Sequence, residues 1–275
     1  MKTRFLFPLM LAFAGVAMAQ AETVKGNGKM VTKTVQVKEF DSVSLSSALQ
    51  DEMGGNFNGK SFPFTFNYKQ SPAGQLTVTT DENVFPHLRF DVSNGDLQIL
   101  AEEGDKVYPT RLEVKGSSAE LSEVNLAGKV DFTLTGDLRG EDLNINVAGG
   151  GSFVANGAVS IDDAELNVAG GGTLRLAQLS GKSVEANAAG GGEMTLKGTT
   201  EDGKYNIAGG GKIQADELKA EDVDANVAAG GKIYVYASSS LKASSVAGGR
   251  IYYKGNPDDV DKSSVLGGGI RKMDE

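Results

Sequence analysis

Apolar and polar residues alternate through the second half of the chain in a pattern that recurs about every twenty residues. In one copy, Leu166 and Val168 alternate with polar residues. After three glycines, Leu174 and Leu176 alternate with polar residues in the same way. A period of two is typical of short β-strands with one apolar face. Each copy therefore predicts short strands joined at a glycine bend, where the chain needs unusual φ and ψ angles or close packing.

The bend carries the motif Asn-Val-Ala-Gly-Gly-Gly, which occurs eight times, either complete or with substitutions. Its first residues are Asn125, Asn146, Asn167, Asn187, Asn206, Asn226, Ser245 and Ser264. Successive positions differ by 21, 21, 20, 19, 20, 19 and 19 residues. A fixed period of this size indicates a solenoid. With only short strands in each period, the fold class is all-β, a single-stranded parallel β-helix with coils of about 20 residues.

Aligned copies predict three columns of inward-facing side chains. The first column is Phe132, Phe153, Leu174, Met194, Ile213, Ile233 and Ile251. The second is Leu134, Ala155, Leu176, Leu196, Ala215, Val235 and Tyr253. The third is Leu126, Val147, Val168, Ala188, Ile207, Val227, Val246 and Val265. Residues stacked ~4.8 Å apart make a continuous core, and eight coils span roughly 40 Å. The many alanines predict a thin core.

The chain divides into three predicted parts, which are a leader at 1–19, less regular coils or a cap at 20–116, and regular repeats at 117–275. A cap is expected because an open solenoid end is an unpaired edge. In the middle part, the Asn94-Gly95 pair predicts a tight hairpin turn. The aromatic segment Gly54–Gly74 departs from the pattern. Alternation at Phe62, Phe64 and Phe66 favours a strand that buries three aromatic rings, and the alternative is an exposed binding loop.

The N-terminus predicts export. Lys2 and Arg4 precede the apolar run 5–16, which leads to Ala17-Met18-Ala19. This arrangement is typical of a secretory signal peptide cut after Ala19, and the apolar run is short for a membrane anchor. No later stretch is apolar enough to span a membrane. We therefore expect a protein of the periplasm, or of the cell surface or exterior of a Gram-negative bacterium.

Charge and cysteine content narrow the function. The formal net charge is −9, and loss of Lys2 and Arg4 makes it −11. An acidic chain argues against nucleic acid, anionic membranes and polyanions as electrostatic partners. The chain has no cysteine, so the stacked core must hold an exported protein without disulfides.

Two phrases carry a resemblance to a known family. Residues 34–45 read Thr-Val-Gln-Val-Lys-Glu-Phe-Asp-Ser-Val-Ser-Leu, and residues 96–99 read Asp-Leu-Gln-Ile. They resemble the first strand and a later strand of the GIN-domain family, also described as auto-transporter adhesin head domains. The Ala-Gly-Gly-Gly series looks like that family's Ser-Gly repeats, and the resemblance covers Val24 to about Gly269. It implies a right-handed β-helix on exported bacterial proteins and no catalytic motif. The long aromatic segment and the pure glycine triplets depart from the family pattern.

The Asn column is the first candidate site. It consists of Asn125, Asn146, Asn167, Asn187, Asn206 and Asn226. Alternation with inward valines places these side chains outward or at a corner, where stacked amides hydrogen-bond along a column. The favoured interpretation is a structural ladder, and the alternative is a carbohydrate-binding row.

An acidic column is the second candidate. Acidic pairs recur four and five residues before the Asn positions, at Glu141-Asp142, Asp162-Asp163, Glu201-Asp202 and Glu221-Asp222. Stacked carboxylates repel one another unless they are solvated or bridged, and Ca²⁺ prefers oxygen ligands. A calcium site built on Asp142, Asp163, Asp202 and Asp222 is therefore one hypothesis. The other, which we favour, is an exposed turn rich in Asp and Glu.

A tyrosine patch near the C-terminus is the third candidate. Tyr234 and Tyr252 share an outward column, Tyr236 lies close by, and Lys232 and Arg250 flank them. Aromatic rings beside charges suit a sugar or a protein partner. The alternative is side-chain stacking that covers the last coils.

Enzyme motifs are absent from the sequence. It has one histidine, His87, no cysteine nucleophile and no Gly-x-Ser-x-Gly phrase. We therefore expect a noncatalytic adhesin-like or envelope interaction protein that presents a rigid face to a glycan or to an envelope or host protein. No cofactor is expected apart from calcium at the acidic column. One alternative is a polysaccharide-active enzyme on the same scaffold, and the other is a structural envelope protein without a dedicated ligand.

Overall fold

A computed structural model describes residues 22–49, 62–72 and 74–274. The predicted leader therefore lies outside the described residues. The same holds for residues 50–61 and 73, which include the first part of the Gly54–Gly74 segment.

Strands make up nearly all of the regular structure. The first nine are β1 (Thr23–Lys25), β2 (Met30–Gln36), β3 (Ser42–Ser46), β4 (Phe64–Gln70), β5 (Gln75–Asp81), β6 (Leu88–Ser93), β7 (Asp96–Ala101), β8 (Lys106–Tyr108) and β9 (Leu112–Ser118). The next six are β10 (Glu123–Gly128), β11 (Val130–Leu134), β12 (Leu138–Gly149), β13 (Ser152–Gly170), β14 (Thr173–Ser180) and β15 (Ser183–Gly190). The last six are β16 (Glu193–Gly209), β17 (Lys212–Ala228), β18 (Lys232–Val246), β19 (Arg250–Lys254), β20 (Asp259–Val265) and β21 (Gly269–Lys272). A 3₁₀ turn covers Phe85–His87.

The strands stack as a parallel β-solenoid of about eight turns, which confirms the predicted fold class. Each coil pairs with the next in parallel, so that Asn146 lies opposite Asn125 on one side and Asn167 on the other. Several strands are longer than the sequence pattern predicts, and β13 runs for 19 residues. They are long because pairing continues around the corners between faces, with local register shifts such as the one between Ala155 and Ala158.

The core follows the predicted columns through most of the stack. Every member of the first two columns is buried, from Phe132 and Leu134 to Ile251 and Tyr253. Aromatic residues continue the first column toward the N-terminus, where the rings of Phe66 and Phe132 stack with centroids 5.4 Å apart.

The third predicted column is wrong in its last two members. Val227 pairs with Ser245 rather than with Val246, and Ser245 is fully buried. Val246 is half-buried and pairs with Val265, which is 50% exposed. The glycines therefore misalign the last copies by one residue. Ser244 and Ser263, rather than Ser245 and Ser264, continue the Asn column.

Antiparallel strands close the N-terminal end of the solenoid. β2 pairs with β5, and β5 pairs with β9, both antiparallel. β6 and β7 form a hairpin in which Asn94 and Gly95 have φ values of 52° and 84°, which confirms the predicted turn. In the described part of the aromatic segment, Phe62, Phe64 and Phe66 are buried, as the strand interpretation predicts.

Candidate functional site

A flat face near the C-terminal end of the solenoid carries the predicted tyrosines. The first strand of each coil builds this face, because its alternate residues point outward. Gln214, Tyr234, Tyr252 and Arg271 lie opposite one another in successive coils. The rings of Tyr234 and Tyr252 stack with centroids 4.9 Å apart and planes 12° apart. Both tyrosines are half-buried, so this column, which we call the tyrosine column, remains accessible.

A column of cations runs beside the tyrosine column. Lys212, Lys232 and Arg250 lie opposite one another in consecutive coils. The Lys212 ammonium lies 5.3 Å from the centroid of the Tyr234 ring, close enough for a cation–π contact. Lys232 and Arg250 are exposed. We call the tyrosine and cation columns together the tyrosine face.

The third outward column of this face holds an ion pair. Lys254 Nζ lies 2.8 Å from Asp216 Oδ2, and Tyr236 lies opposite Lys254 in the preceding coil. The hydrogen bond and the charge of Asp216 raise the pKa of Lys254, so this lysine stays charged. Burial raises the pKa of Tyr234, with smaller contributions from Tyr252 and Asp216 that Arg250 opposes. The Tyr234 hydroxyl is therefore a hydrogen-bond donor at neutral pH.

The Asn column forms a continuous hydrogen-bonded ladder. Each side-chain Nδ2 donates to the Oδ1 of the Asn one coil earlier, at 2.9–3.2 Å from Asn146 to Asn226. A second donated bond runs to a side chain two residues earlier, as from Asn167 to Glu165 at 3.0 Å. Because these bonds use both N–H groups of most amides, the ladder keeps little capacity to donate to a sugar.

An apolar groove runs beside the ladder. It has a volume of about 570 Å³ and is lined by the ladder amides, the alanines two residues later and the strand residues between them, whose side chains belong to the core. A second depression of about 410 Å³ extends it past Ala127 and Ala48 toward Leu100. Asn146 and Ala148 line both depressions. We call this continuous surface the ladder groove.

The acidic column is exposed and interrupted. Asp142 lies opposite Asp163, and Asp202 lies opposite Asp222, but Ser183 separates the two pairs. Asp162 forms a 2.6 Å ion pair with Lys182. Within the described ranges, no three acidic or histidine side chains lie close enough together to hold a metal ion. The structure therefore does not gather the predicted calcium ligands into one centre.

The family comparison covers most of the chain. Residues 59–160 and 148–257 match the family described as "Putative auto-transporter adhesin, head GIN domain". The chain belongs to this family. Two overlapping matches on one chain agree with the repeated coils, because one stretch of GIN-domain coils resembles the next. No curated protein matches the chain.

Solved structures similar to this GIN domain include proteins of Parabacteroides and Bacteroides. A "putative lipid binding protein" of Parabacteroides distasonis shares 29% identity and a TM-score of 0.81 over 92% of this chain and 100% of its own. A "putative adhesin" of Parabacteroides merdae shares 27% identity and a TM-score of 0.84 over the same shares. A "putative adhesin" of Bacteroides fragilis, at 20% identity, shares the fold with a TM-score of 0.62. In the described part of the GIN domain, no helix is long and apolar enough to cross a membrane.

Sequence reasoning missed part of the tyrosine face and all of the ladder groove. Lys212 and Lys254 belong to this face, and the repeat register alone signals their places, since Lys212 stands one coil before Lys232. The groove has a weaker signal, the alanine two residues after each Asn. In the sequence, that alanine cannot be distinguished from any other small strand residue. Its place beside the groove becomes clear only when the coils are stacked.

Proposed function

We propose that this GIN domain is a noncatalytic, exported interaction protein and that the tyrosine face is its contact surface for a glycan or an envelope or host protein. The observation that carries the proposal is the stacked Tyr234–Tyr252 pair beside the exposed Lys232 and Arg250. Tyrosine and arginine are enriched where proteins bind partners, because they combine apolar area with hydrogen-bond donors. The family description as an adhesin head domain supports a role outside the cell.

A binding screen on a glycan array and on envelope fractions tests this proposal. The protein is compared with Tyr234→Ala and Tyr252→Ala, each with and without calcium. Thr195→Ala is the matched control, because Thr195 lies in the tyrosine column one coil before Gln214. We expect hits that both tyrosine variants lose and the control retains. Hits that survive both tyrosine changes would place the contact surface elsewhere, and calcium-dependent hits would favour the acidic column instead.

A second function, binding of an extended apolar chain, is favoured by the ladder groove. The outward side chains of the groove are alternating alanines and ladder amides, and the amides are largely saturated with hydrogen bonds. Such a surface suits an alkyl chain better than a sugar, because an alkyl chain needs no hydrogen bonds. The similarity to a protein described as a "putative lipid binding protein" supports this second candidate.

Displacement of a fluorescent fatty acid tests the second candidate. Ala169→Gln would fill the groove at its middle, whereas Thr195→Gln adds the same side chain on the tyrosine face and is the control. We expect binding that only Ala169→Gln weakens. Equal binding by both variants would mean that the fatty acid does not occupy the groove.

A further inference from the structure

The tyrosine face concentrates positive charge on an acidic protein. The whole chain carries a formal charge of −9, yet Lys212, Lys232 and Arg250 follow one another in register on this face. Within the described part of the chain, the side chains of Lys232 and Arg250 form no hydrogen bond or ion pair. Asp216 is engaged by Lys254, and Glu193 stands one coil before Lys212. Two adjacent cations are therefore available to a ligand.

The ring of Tyr234 offers its hydroxyl end rather than its faces. Tyr252 covers one face of Tyr234, and the Lys212 ammonium covers the other from the preceding coil. Single-stranded nucleic acids bind by stacking successive bases on exposed aromatic faces, and Tyr234 does not provide one. What remains accessible is a set of donors, namely hydroxyl, ammonium and guanidinium groups. Such a set is complementary to anionic oxygens.

The spacing of these donors narrows the ligand further. Cations in neighbouring coils are separated by the strand spacing of about 4.8 Å. An extended acidic peptide presents side chains on one side every second residue, about 6.6 Å apart, which is wider than the separation of these strands. One pyranose unit has a length close to the coil spacing. In a polymer of uronic acids, each such unit carries a carboxylate.

We propose that the tyrosine face binds an acidic polysaccharide, with carboxylates of successive sugar units on Lys232 and Arg250 and hydrogen bonds from the Tyr234 and Tyr252 hydroxyls. This inference rests on the proposed function of the same face. It departs from the expectation based on net charge, because charge averaged over the chain conceals a local cationic surface.

Calorimetric titration with an oligogalacturonate tests the proposal. The same oligosaccharide with its carboxylates methyl-esterified is the matched ligand, since it keeps the sugar backbone and loses the charge. The variants are Lys232→Gln, Arg250→Gln, Tyr252→Phe and Tyr252→Ala. Arg175→Gln is the control, because Arg175 is an exposed cation in the same outward register three coils before Tyr234, away from Lys232 and Arg250.

We expect the acidic form to bind and the ester to bind at least about tenfold more weakly, with Lys232→Gln and Arg250→Gln each costing the acidic form about tenfold. Tyr252→Phe should lose a smaller factor, because it keeps the stacked ring. Binding of the acidic form should weaken with added salt, and Arg175→Gln should bind like the unchanged protein.

Three results would overturn the proposal. Equal binding of acid and ester, lost on Tyr252→Ala, would keep the proposed contact surface but refute the acidic ligand class. Binding that Lys232→Gln, Arg250→Gln and Tyr252→Ala all leave unchanged would refute both the contact surface and this inference. Stronger binding to polyglutamate, or to vesicles containing phosphatidylglycerol, would assign the cations to a protein or a membrane instead.

Discussion

The three glycines of a triplet are subject to different physical constraints. Gly170, the first of its triplet, has a φ of 81°, a conformation that side chains disfavour. Gly172, the third, has no room, because a Cβ there would lie 2.8 Å from Val147 Cγ1. Gly171, between them, has space, with its nearest neighbour 3.9 Å from such a Cβ. The three identical glycines therefore differ. The first is required by its backbone angle and the third by the lack of space, whereas the second tolerates a side chain.

Gly172→Ala and Gly171→Ala should therefore differ in stability although the residues are adjacent. The added methyl at 172 must displace Val147 or Val168, and overpacking of this kind costs about 1–3 kcal/mol. The methyl at 171 should change the free energy of unfolding by less than about 1 kcal/mol. Urea unfolding of the two variants measures the difference. Equal midpoints would show that the third glycine is not under steric constraint.

Ala229 occupies the position where earlier coils have the first glycine of the triplet. Its φ is 76°, a left-handed conformation that costs a residue with a Cβ about 1–2 kcal/mol. We expect Ala229→Gly to raise the free energy of unfolding by about 0.5–1 kcal/mol, after the larger entropy of a glycine in the unfolded chain is subtracted. Ala228→Gly is the control, since Ala228 is in a strand and should lose stability. A loss of stability in both variants would contradict the assigned strain.

Prediction from single residues failed where one residue type has several structural roles. The glycines suggest that Ser245 heads its copy, but the strands place Ser244 there and bury Ser245, whose hydroxyl donates to the Gly249 carbonyl at 2.6 Å. The register of a coil is determined by strand pairing along its whole length rather than by the glycine motif alone. The sequence does carry that signal, because the following strand starts at Arg250, six residues after Ser244, as Lys232 follows Asn226.

At the scale of elements, one carboxylate joins three segments of the N-terminal end. Asp81, at the end of β5, is fully buried. It accepts hydrogen bonds from the Gly28 amide at 2.7 Å and from the Thr110 amide and hydroxyl at 2.8 Å. Burial by itself raises the pKa of Asp81, but the bonds from Thr110 and Gly28 together outweigh it and hold the pKa below its usual value.

This lowered pKa predicts a pH dependence of stability. A carboxyl whose folded-state pKa is depressed stabilises the protein above its unfolded pKa of about 3.9 and loses that contribution as the pH falls through the folded-state value. At pH 7, Asp81→Asn should cost about 2–3 kcal/mol. The difference from the unchanged protein should narrow below about pH 4. Asp261→Asn, at an exposed position of β20, is the control and should have little effect. A pH-independent difference would exclude titration of Asp81 as the cause.

Elements were predictable where the pattern repeats and less so elsewhere. Alternation located the strand that buries Phe64 and Phe66, and the Asn94-Gly95 pair located a hairpin. The pairing of β2 with β5 left no such signal, because antiparallel partners far apart in the sequence share no period. Ion pairs such as that between Asp216 and Lys254 were not predictable for a related reason, since the two residues lie in different coils and 38 positions apart in the sequence.

At the scale of the whole molecule, a twenty-residue period was enough to determine the architecture. Each coil buries its apolar face only against its neighbours, so the repeat implies the stack. The period did not show how the core compensates for its alanines. Tyr205, fully buried, lies between Ala186 and Ala225 in one inward column, so one large ring fills the space beside two small residues. The tyrosine face likewise emerges only when three coils are stacked.

The last coil ends the stack with a charge in the core column. Lys262 lies opposite the buried Ala243, in the inward register. Its ammonium lies 2.7 Å from the Tyr253 hydroxyl and 4.5 Å from the centroid of that ring. An inward-pointing charge on an edge strand opposes the addition of another strand. The lysine also covers the end of the core with its aliphatic stem.

Lys262→Val should therefore promote self-association through the strand at the C-terminal end of the solenoid. Val260 lies two residues earlier in the same inward register and is already 39% exposed, so a valine at position 262 would extend an apolar strip along the outer strand of the described stack. Light scattering across a concentration series should show more self-association than in the unchanged protein. Lys242→Val makes the same change at an exposed position one coil earlier and should not associate in this way, because its strand is paired on both sides. Equal association by the two variants would attribute the effect to lost charge rather than to the open edge.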